Sequence, residues 1–217
     1  MSIGILFDLD GTLLNTLEDL ADSTNAALAS FGYPARTLEE VRRFVGNGAA
    51  SLIAQAVPEG CDPAPVLKAF QAYYPAHCQI KTAPYPGIER ALAVLKEKYP
   101  VAIVSNKPDA AVKPLCAHYF PGIFALGETA DCPRKPDKAM VLKAMDAIGV
   151  TECIYVGDSE VDVRTAKNAG VPCLSVLWGF RDRAVIQAAG GTHFCETPDQ
   201  MPDILKKMIK DLETNGQ

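Results

Sequence analysis

The chain of 217 residues contains no long run of lysine or arginine, and its formal net charge is −5. Binding to a nucleic acid rests mainly on basic side chains that neutralise many backbone phosphates. The sequence therefore argues against a nucleic acid as partner or substrate. A small phosphorylated metabolite stays compatible with it, because such a molecule needs only a few local charges.

The chain also lacks any pair of cysteines with Cys-x-x-Cys spacing, and its cysteines are scattered and odd in number. Disulfide frameworks are typical of short secreted chains, so we expect reduced thiols here and neither a zinc site nor a redox site. The seven cysteines are Cys61, Cys78, Cys116, Cys132, Cys153, Cys173 and Cys195.

Signals for export or membrane insertion are missing as well. No basic segment precedes the apolar run at residues 3–7, and that run is too short for a signal peptide or a membrane span. We therefore expect a cytoplasmic protein without a membrane partner, acting as a monomer or a homodimer.

What the chain does contain is an alternation of short apolar runs with helical patterns. The run at residues 3–7 predicts a buried strand, and similar runs recur at 101–104, 123–126, 154–156 and 173–177. Helical patterns lie between them at 88–98, 137–148 and 161–169. This alternation predicts an α/β fold with a doubly wound, mainly parallel, Rossmann-like sheet.

One stretch, residues 15–84, interrupts the alternation with helical signals alone. Thr16 is a candidate cap for a helix that ends at Ala29, and Thr37-x-x-Glu40 is a capping box that opens a helix over Leu38–Phe44. Further helices are expected after Gly48 and after Pro63. The pattern predicts a helical cap domain at 15–84, inserted into a core formed by residues 1–14 and 85–217.

A pair of carboxylates follows the first predicted strand directly, in the motif Asp8-Leu9-Asp10-Gly11-Thr12. Residues two apart in an extended chain point the same way, so both carboxylates start from one side of the strand end. Ligands of open α/β sheets bind at that end. Two adjacent carboxylates favour a hard cation such as Mg²⁺ between them, although a solvated turn would carry the same motif.

Three more groups of polar residues follow later strands. Ser105 and Asn106 offer a hydroxyl and backbone N–H groups to phosphate oxygens, and Lys135 offers a point charge. Asp158 is a candidate metal ligand, whereas Asp162 also suits the first turn of a helix. Each group alone fits an ordinary turn or a solvated side chain. Together, in this order at successive strand ends, they indicate one phosphate-binding site.

These motifs resemble the haloacid dehalogenase superfamily, and within it the phosphatases with a helical cap after the first strand. The resemblance implies that Asp8 is the nucleophile, that Asp10 is the general acid and base, and that Lys135 binds both phosphate and Asp8. It further implies that Mg²⁺ is held by Asp8, Asp158 and the Asp10 carbonyl, with Asp162 supporting the metal site from behind. The substrate-binding candidates are Gly11, Thr12, Asn47, Gly48, Ser105, Asn106 and Lys135.

The run Val45-Gly46-Asn47-Gly48-Ala49 and the run Ser105-Asn106-Lys107-Pro108 are similar to those of phosphoglycolate phosphatase-like members. Asn15 stands where that family usually has aspartate, and Pro136-Asp137-Lys138 replaces its usual Pro-His-Pro. The resemblance thus implies a Mg²⁺-dependent phosphomonoester hydrolase that acts on a small phosphorylated metabolite.

Other activities use related machinery. A dehalogenase of this fold has no use for a carboxylate at Asp10, because a halide leaves without a proton. A phosphohexose mutase would keep Asp10. A receiver-like signalling module, phosphorylated on one aspartate, is an alternative from another class, but it needs no long helical insert.

Overall fold

The computed structural model describes residues 2–215, so the outermost bounds predicted for the core, residues 1 and 217, lie outside the described part. Its main sheet has six strands in the order β5-β4-β1-β6-β7-β8, all paired in parallel. A separate two-stranded ribbon joins β2 and β3. The strands are β1 (Ile3–Phe7), β2 (Leu14–Asn15), β3 (Ala83–Pro84), β4 (Val101–Pro108), β5 (Phe124–Glu128), β6 (Glu152–Gly157), β7 (Cys173–Val176) and β8 (His193–Cys195).

The helices fall into two groups: those after residue 84 belong to the part of the chain that forms the sheet, and those within residues 15–84 belong to the predicted insert. They are α1 (Leu17–Ala29), α2 (Leu38–Phe44), α3 (Gly48–Ala56), α4 (Ala64–Tyr73), α5 (Ile88–Lys96), α6 (Asp109–Tyr119), α7 (Ala139–Ala147), α8 (Glu160–Ala169), α9 (Arg183–Ala188) and α10 (Met201–Asn215). None of the described helices is both long and apolar enough to cross a membrane. The predicted α/β fold with a mainly parallel sheet is confirmed.

The centre of the sheet explains where polar side chains collect. Strand β1 is buried at every residue and lies between β4 and β6, which is why its sequence is apolar without alternation. Because all strands of the sheet run the same way, the carboxyl ends of β1, β4 and β6 meet at one edge. The residues that follow those strands are therefore brought together.

Helices α1 to α4, which we call the helical segment, are connected to the sheet through the β2–β3 ribbon. Leu14 pairs with Pro84 and Asn15 with Ala83, so the outgoing and returning chains lie side by side. The predicted capping box is present at α2: the Thr37 hydroxyl accepts from Glu40 N–H, and the Glu40 carboxylate accepts from Thr37 N–H.

A buried carboxylate at the start of α1 fixes the returning chain beside the outgoing one. Asp19 is 2% exposed and accepts backbone N–H hydrogen bonds from Ile80, Lys81 and Thr82, at 2.8 to 3.1 Å. Three donors satisfy this carboxylate, which has no salt bridge within residues 2–215, so the position just before β3 is tightly defined.

The sequence patterns missed the last strand, β8, and the helices α9 and α10. Strand β8 has only three residues, and His193 on it is exposed, so it lacks the apolar run that marks the other strands. It forms the edge of the sheet, where short and polar strands are common.

Candidate active site

Asp8 and Lys135 form the centre of the site at the end of β1. The Lys135 ammonium donates to Asp8 Oδ1 at 2.7 Å, to Asp162 Oδ1 at 2.8 Å and to the Tyr155 hydroxyl at 3.0 Å. Asp8 is 7% exposed and Lys135 is 3% exposed. The lysine therefore has its three donors engaged by buried partners, which hold its charge beside the Asp8 carboxylate.

Three carboxylates surround this lysine. One oxygen from each of Asp8, Asp158 and Asp162 lies within 4.8 Å of the others. Asp162 is the most fully engaged, because its second oxygen accepts from the N–H and the hydroxyl of Ser159, at 3.1 and 2.6 Å. The carboxylates of Asp8 and Asp158 thus remain the better candidates for a bound cation.

The charge balance of the cluster supports a cation site. Burial raises the pKa of Asp8 well above its ordinary value; Lys135 partly offsets this effect, and the nearby Asp162 and Asp158 add to it. Burial, reinforced by Asp162, raises the pKa of Asp158 to about 7. One lysine thus faces three buried carboxylates, and a divalent cation with oxygen ligands would balance the excess of negative charge.

Asp158 is enclosed by backbone that only glycine allows. A Cβ on Gly11 would lie 2.4 Å from Asp158 Oδ2, and one on Gly179 would lie 2.3 Å from Asp158 Cβ. Phe180 N–H donates to Asp158 Oδ2 at 2.7 Å, and the Thr12 hydroxyl donates to Oδ1 at 3.3 Å. Gly179 and Phe180 were not predicted from the sequence, because nothing local to them signals a carboxylate from another loop.

Asp10, two residues after Asp8, has its own set of donors. Thr16 donates to its Oδ1 at 2.7 Å, Lys107 donates to the same oxygen at 2.7 Å, and Ser105 donates to Oδ2 at 3.3 Å. The prediction that Thr16 caps helix α1 needs correction: it occupies the N-cap position, but its hydroxyl makes no capping hydrogen bond. That hydroxyl binds Asp10 because the turn after β1 brings the carboxylate within reach.

Lys107 is a buried cation whose role in the site was not predicted, although it stands in the run that begins at Ser105. It is 7% exposed. Burial acts against its charged form, but the carboxylate of Asp10 outweighs that effect and raises the pKa of Lys107. Lys107 therefore keeps its positive charge at neutral pH.

Asn106 joins the strand end to two other loops. Its Nδ2 donates to the carbonyl oxygens of Lys135, at 2.9 Å, and Gly46, at 3.2 Å, and its Oδ1 accepts from Lys135 N–H at 2.8 Å. Since Gly46 belongs to the helical segment, Asn106 links that segment to the loop that carries Lys135. Both the nitrogen and the oxygen of its side-chain amide are occupied in this way.

These groups face one cavity of about 660 Å³ of empty space, part of it open to solvent, between the strand ends and the helical segment. Asn47, Gly11 and Thr12 are absent from the described residues that line it; Gly11 and Thr12 lie against Asp158 instead. The predicted site residues on its wall are Asp8, Asp10, Gly48, Ser105, Asn106, Lys135 and Asp158.

Comparison with known proteins places the chain in a family. Residues 5–176 match the haloacid dehalogenase-like hydrolase family. A phosphoglycolate phosphatase of Pseudomonas putida is 35% identical, over 94% of this chain and 78% of that protein. One of Cereibacter sphaeroides is 34% identical, over 95% of this chain and 99% of that protein.

A solved structure supports the same family assignment. A crystal structure from Lactobacillus delbrueckii subsp. bulgaricus, provisionally assigned as a phosphoglycolate phosphatase, superposes with a TM-score of 0.88 at 34% identity. The match covers 93% of this chain and 97% of that one. The chain therefore belongs to the haloacid dehalogenase-like hydrolases. Within them it is a phosphatase, and the predicted resemblance is confirmed.

Proposed function

We propose that the protein is a Mg²⁺-dependent phosphomonoester hydrolase that forms an aspartyl-phosphate on Asp8. Its proposed substrate is a small phosphorylated hydroxy acid, with phosphoglycolate as the first candidate because the relatives carry that name. One observation supports the proposal above others. Asp8 lies beside the Lys135 ammonium, with the carboxylate of Asp10 on the wall of the same cavity.

The proposed reaction has two steps. In the first, an Asp8 oxygen attacks phosphorus while the bond from phosphorus to the ester oxygen breaks, and Asp10 gives a proton to that leaving oxygen. In the second, water attacks the aspartyl-phosphate and gives a proton to Asp10, which restores the Asp8 carboxylate and releases inorganic phosphate. Such acid–base assistance contributes typically ~10²–10⁴-fold.

The proposed phosphate contacts lie in the carboxyl-terminal part of β4 and in the loop between β5 and α7. Lys135 supplies positive charge, and Ser105 supplies a hydroxyl 3.3 Å from Asp10 Oδ2. The side-chain amide of Asn106 binds the Lys135 backbone through both its nitrogen and its oxygen. We therefore propose that Asn106 binds phosphate through its own main chain, or that it acts by positioning Lys135. Gly11, Thr12 and Asn47 remain predicted contacts.

The proposed metal ligands are Asp8, Asp158 and the main-chain carbonyl of Asp10. Members of this family are generally metal-dependent, and the acidic cluster of this chain suits a hard cation. Mg²⁺ bound there would supply Lewis-acid stabilisation of the negative charge on the transferring group. Asp162 would support the metal site without binding the ion, by orienting Lys135 and by capping helix α8.

We further propose that residues 15–84 act as a cap domain over a core formed by 1–14 and 85–217. The support is that the helical segment supplies one wall of the cavity and is connected through the narrow β2–β3 ribbon. A cap of this kind excludes water during the first step. The phosphohexose mutase and the receiver-like module remain alternatives, and release of inorganic phosphate from a phosphate ester would argue against both.

A cytoplasmic location and a monomeric or homodimeric state also remain proposals. All seven cysteines have free thiols, which supports a reducing compartment.

Single substitutions of the two carboxylates after β1 test the mechanism. With p-nitrophenyl phosphate and Mg²⁺, Asp8→Asn should form no covalent species, because an amide is a poor nucleophile. Asp10→Asn should still form the adduct, because p-nitrophenolate leaves without a proton, and should then accumulate it. Intact-mass spectrometry would detect one added phosphoryl group that hydroxylamine removes. An Asp8→Asn variant that still turns over would overturn the assignment.

A further inference from the structure

The cations that line the cavity differ in how many donors they have left. Lys135 is engaged by Asp8, Asp162 and Tyr155. Arg181 is engaged as well: its Nε donates to Glu160, and its terminal nitrogens donate to backbone carbonyl oxygens of the helical segment. Lys135 has no spare donor, and Arg181 has one of its five N–H groups left among the described contacts.

Lys107 is different. Among the described residues its ammonium has one hydrogen-bond acceptor, Asp10 Oδ1 at 2.7 Å, although an ammonium carries three donors. Its nitrogen also lies 4.8 Å from the ring centroid of Tyr74, which closes the cavity from the helical segment. With two of its three donors left, Lys107 is the cavity cation best able to bind a further ligand group.

Tyr74, on the wall formed by the helical segment, also has a polar group that lacks a partner among the described residues. It is 4% exposed, and its hydroxyl is buried near the Lys107 ammonium but makes no hydrogen bond of good geometry in the described chain. The ring is fixed by stacking on Phe70, with centroids 5.0 Å apart. Leaving a buried hydroxyl without a partner is unfavourable, so such a group next to a cavity indicates a missing ligand.

The Tyr74 hydroxyl is the polar side-chain group on an otherwise apolar wall. The other side chains that the helical segment contributes to the cavity are apolar, namely Leu20, Val45, Ala49, Leu52 and Phe70. A sugar or another polyol would leave several hydroxyl groups against this surface without partners. A short leaving group with a single anionic end would leave no hydroxyl group unpaired against this wall.

We propose that the Tyr74 hydroxyl and the Lys107 ammonium together bind the carboxylate of the leaving group and so determine substrate specificity. This inference rests on the proposed phosphatase function and identifies the residues that recognise the substrate beyond its phosphate. The phosphoryl group lies at Asp8 and Lys135, and the carboxylate lies between the cap-side phenol and Lys107. Asp10, which binds Lys107, then stands between the two ends of a two-carbon substrate, next to the ester oxygen.

A matched pair of substrates tests the inference. Phosphoglycolate and ethyl phosphate both carry a two-carbon group, and only the first has a carboxylate. Tyr74→Phe keeps the ring, its stacking on Phe70 and its contact with Lys107, and removes the hydroxyl alone. Because a hydrogen bond to a charged group is lost, kcat/KM for phosphoglycolate should fall about 10- to 100-fold, through KM, with ethyl phosphate changed less than about twofold.

Tyr73→Phe is the matched control, since Tyr73 precedes Tyr74, is exposed and is absent from the described cavity wall. It should leave both substrates unchanged. Lys107→Gln should slow both esters because Lys107 also binds Asp10, and it should lower the preference for phosphoglycolate as well.

The outcomes separate the inference from the function on which it rests. An equal loss on both esters in Tyr74→Phe, or no loss on either, would overturn the inference and leave the phosphatase assignment intact. Wild-type enzyme that releases no phosphate from either ester, with Mg²⁺ present, would overturn the proposed function and the inference together.

Discussion

Arg181, just after β7 of the sheet, donates from Nη1 to the carbonyl oxygen of Arg42 at 2.8 Å. Its Nη2 donates to the carbonyl oxygens of Arg43 and Val45, at 3.2 and 2.5 Å. The last carbonyls of a helix lack partners within the helix and carry partial negative charge. Arg181 therefore binds the carboxyl end of α2 and holds the helical segment against the strand ends.

Replacing this guanidinium should loosen the helical segment. Arg181→Met keeps much of the aliphatic stem and removes every donor, so the carbonyls at the end of α2 lose their partners. We expect faster amide hydrogen exchange around residues 42–46 and a fall in kcat/KM of roughly tenfold, as three carbonyl hydrogen bonds are lost.

Arg183 is a suitable control for that change. It pairs with Glu196 at 2.8 Å, both side chains are exposed, and neither belongs to the helical segment. Arg183→Met should leave hydrogen exchange around α2 unchanged. Equal exchange in both variants and the wild type would show that Arg181 does not hold the segment.

Lys135 should contribute strongly to stability as well as to activity. Lys135→Met leaves Asp8, Asp158 and Asp162 buried together without their cation. Removal of one partner from a buried pair typically costs about 3–5 kcal/mol, so the free energy of unfolding should fall by that order at pH 8. Urea titration would measure it.

Acid should restore part of that loss, because protonated carboxylates no longer repel one another. We therefore expect a smaller difference between Lys135→Met and the wild type at pH 5.5 than at pH 8. A difference that stays the same at both pH values would contradict the electrostatic explanation.

The raised pKa of Asp158 makes metal binding depend on pH. In the folded protein this pKa is about 7, against an ordinary value of 3.8. The stability from protonated Asp158 is thus present below about pH 4 and is lost as the pH rises through about 7. Mg²⁺ binds the ionised carboxylate, so it should raise Tm more at pH 8 than at pH 5.5.

Thermal melts with and without Mg²⁺ across that pH range would measure the effect. Asp158→Asn is the control, because it removes both the titrating group and the proposed ligand and should abolish the Mg²⁺-dependent rise in Tm. A rise that is larger at pH 5.5 than at pH 8 would exclude Asp158 as a metal ligand.

The sequence by itself determined the features that depend on neighbouring residues. The apolar run of β1 predicted a buried strand, and Asp8 and Asp10 directly after it predicted an acidic strand end, as found. The box formed by Thr37 and Glu40 involves residues three apart, so its hydrogen bonds need only the local backbone of a helix. Successive parallel strands then brought the remaining predicted groups to the same edge.

Only the tertiary structure decided which partners the other side chains have. Lys107 and Asp10 are 97 residues apart in the chain, and Arg181 and Arg42 are 139 apart. Thr16 has a typical capping sequence position, yet its hydroxyl binds Asp10 because the fold brings that carboxylate closer. A side chain's hydrogen bonds depend on which acceptors surround it after packing, and distant residues supply those acceptors.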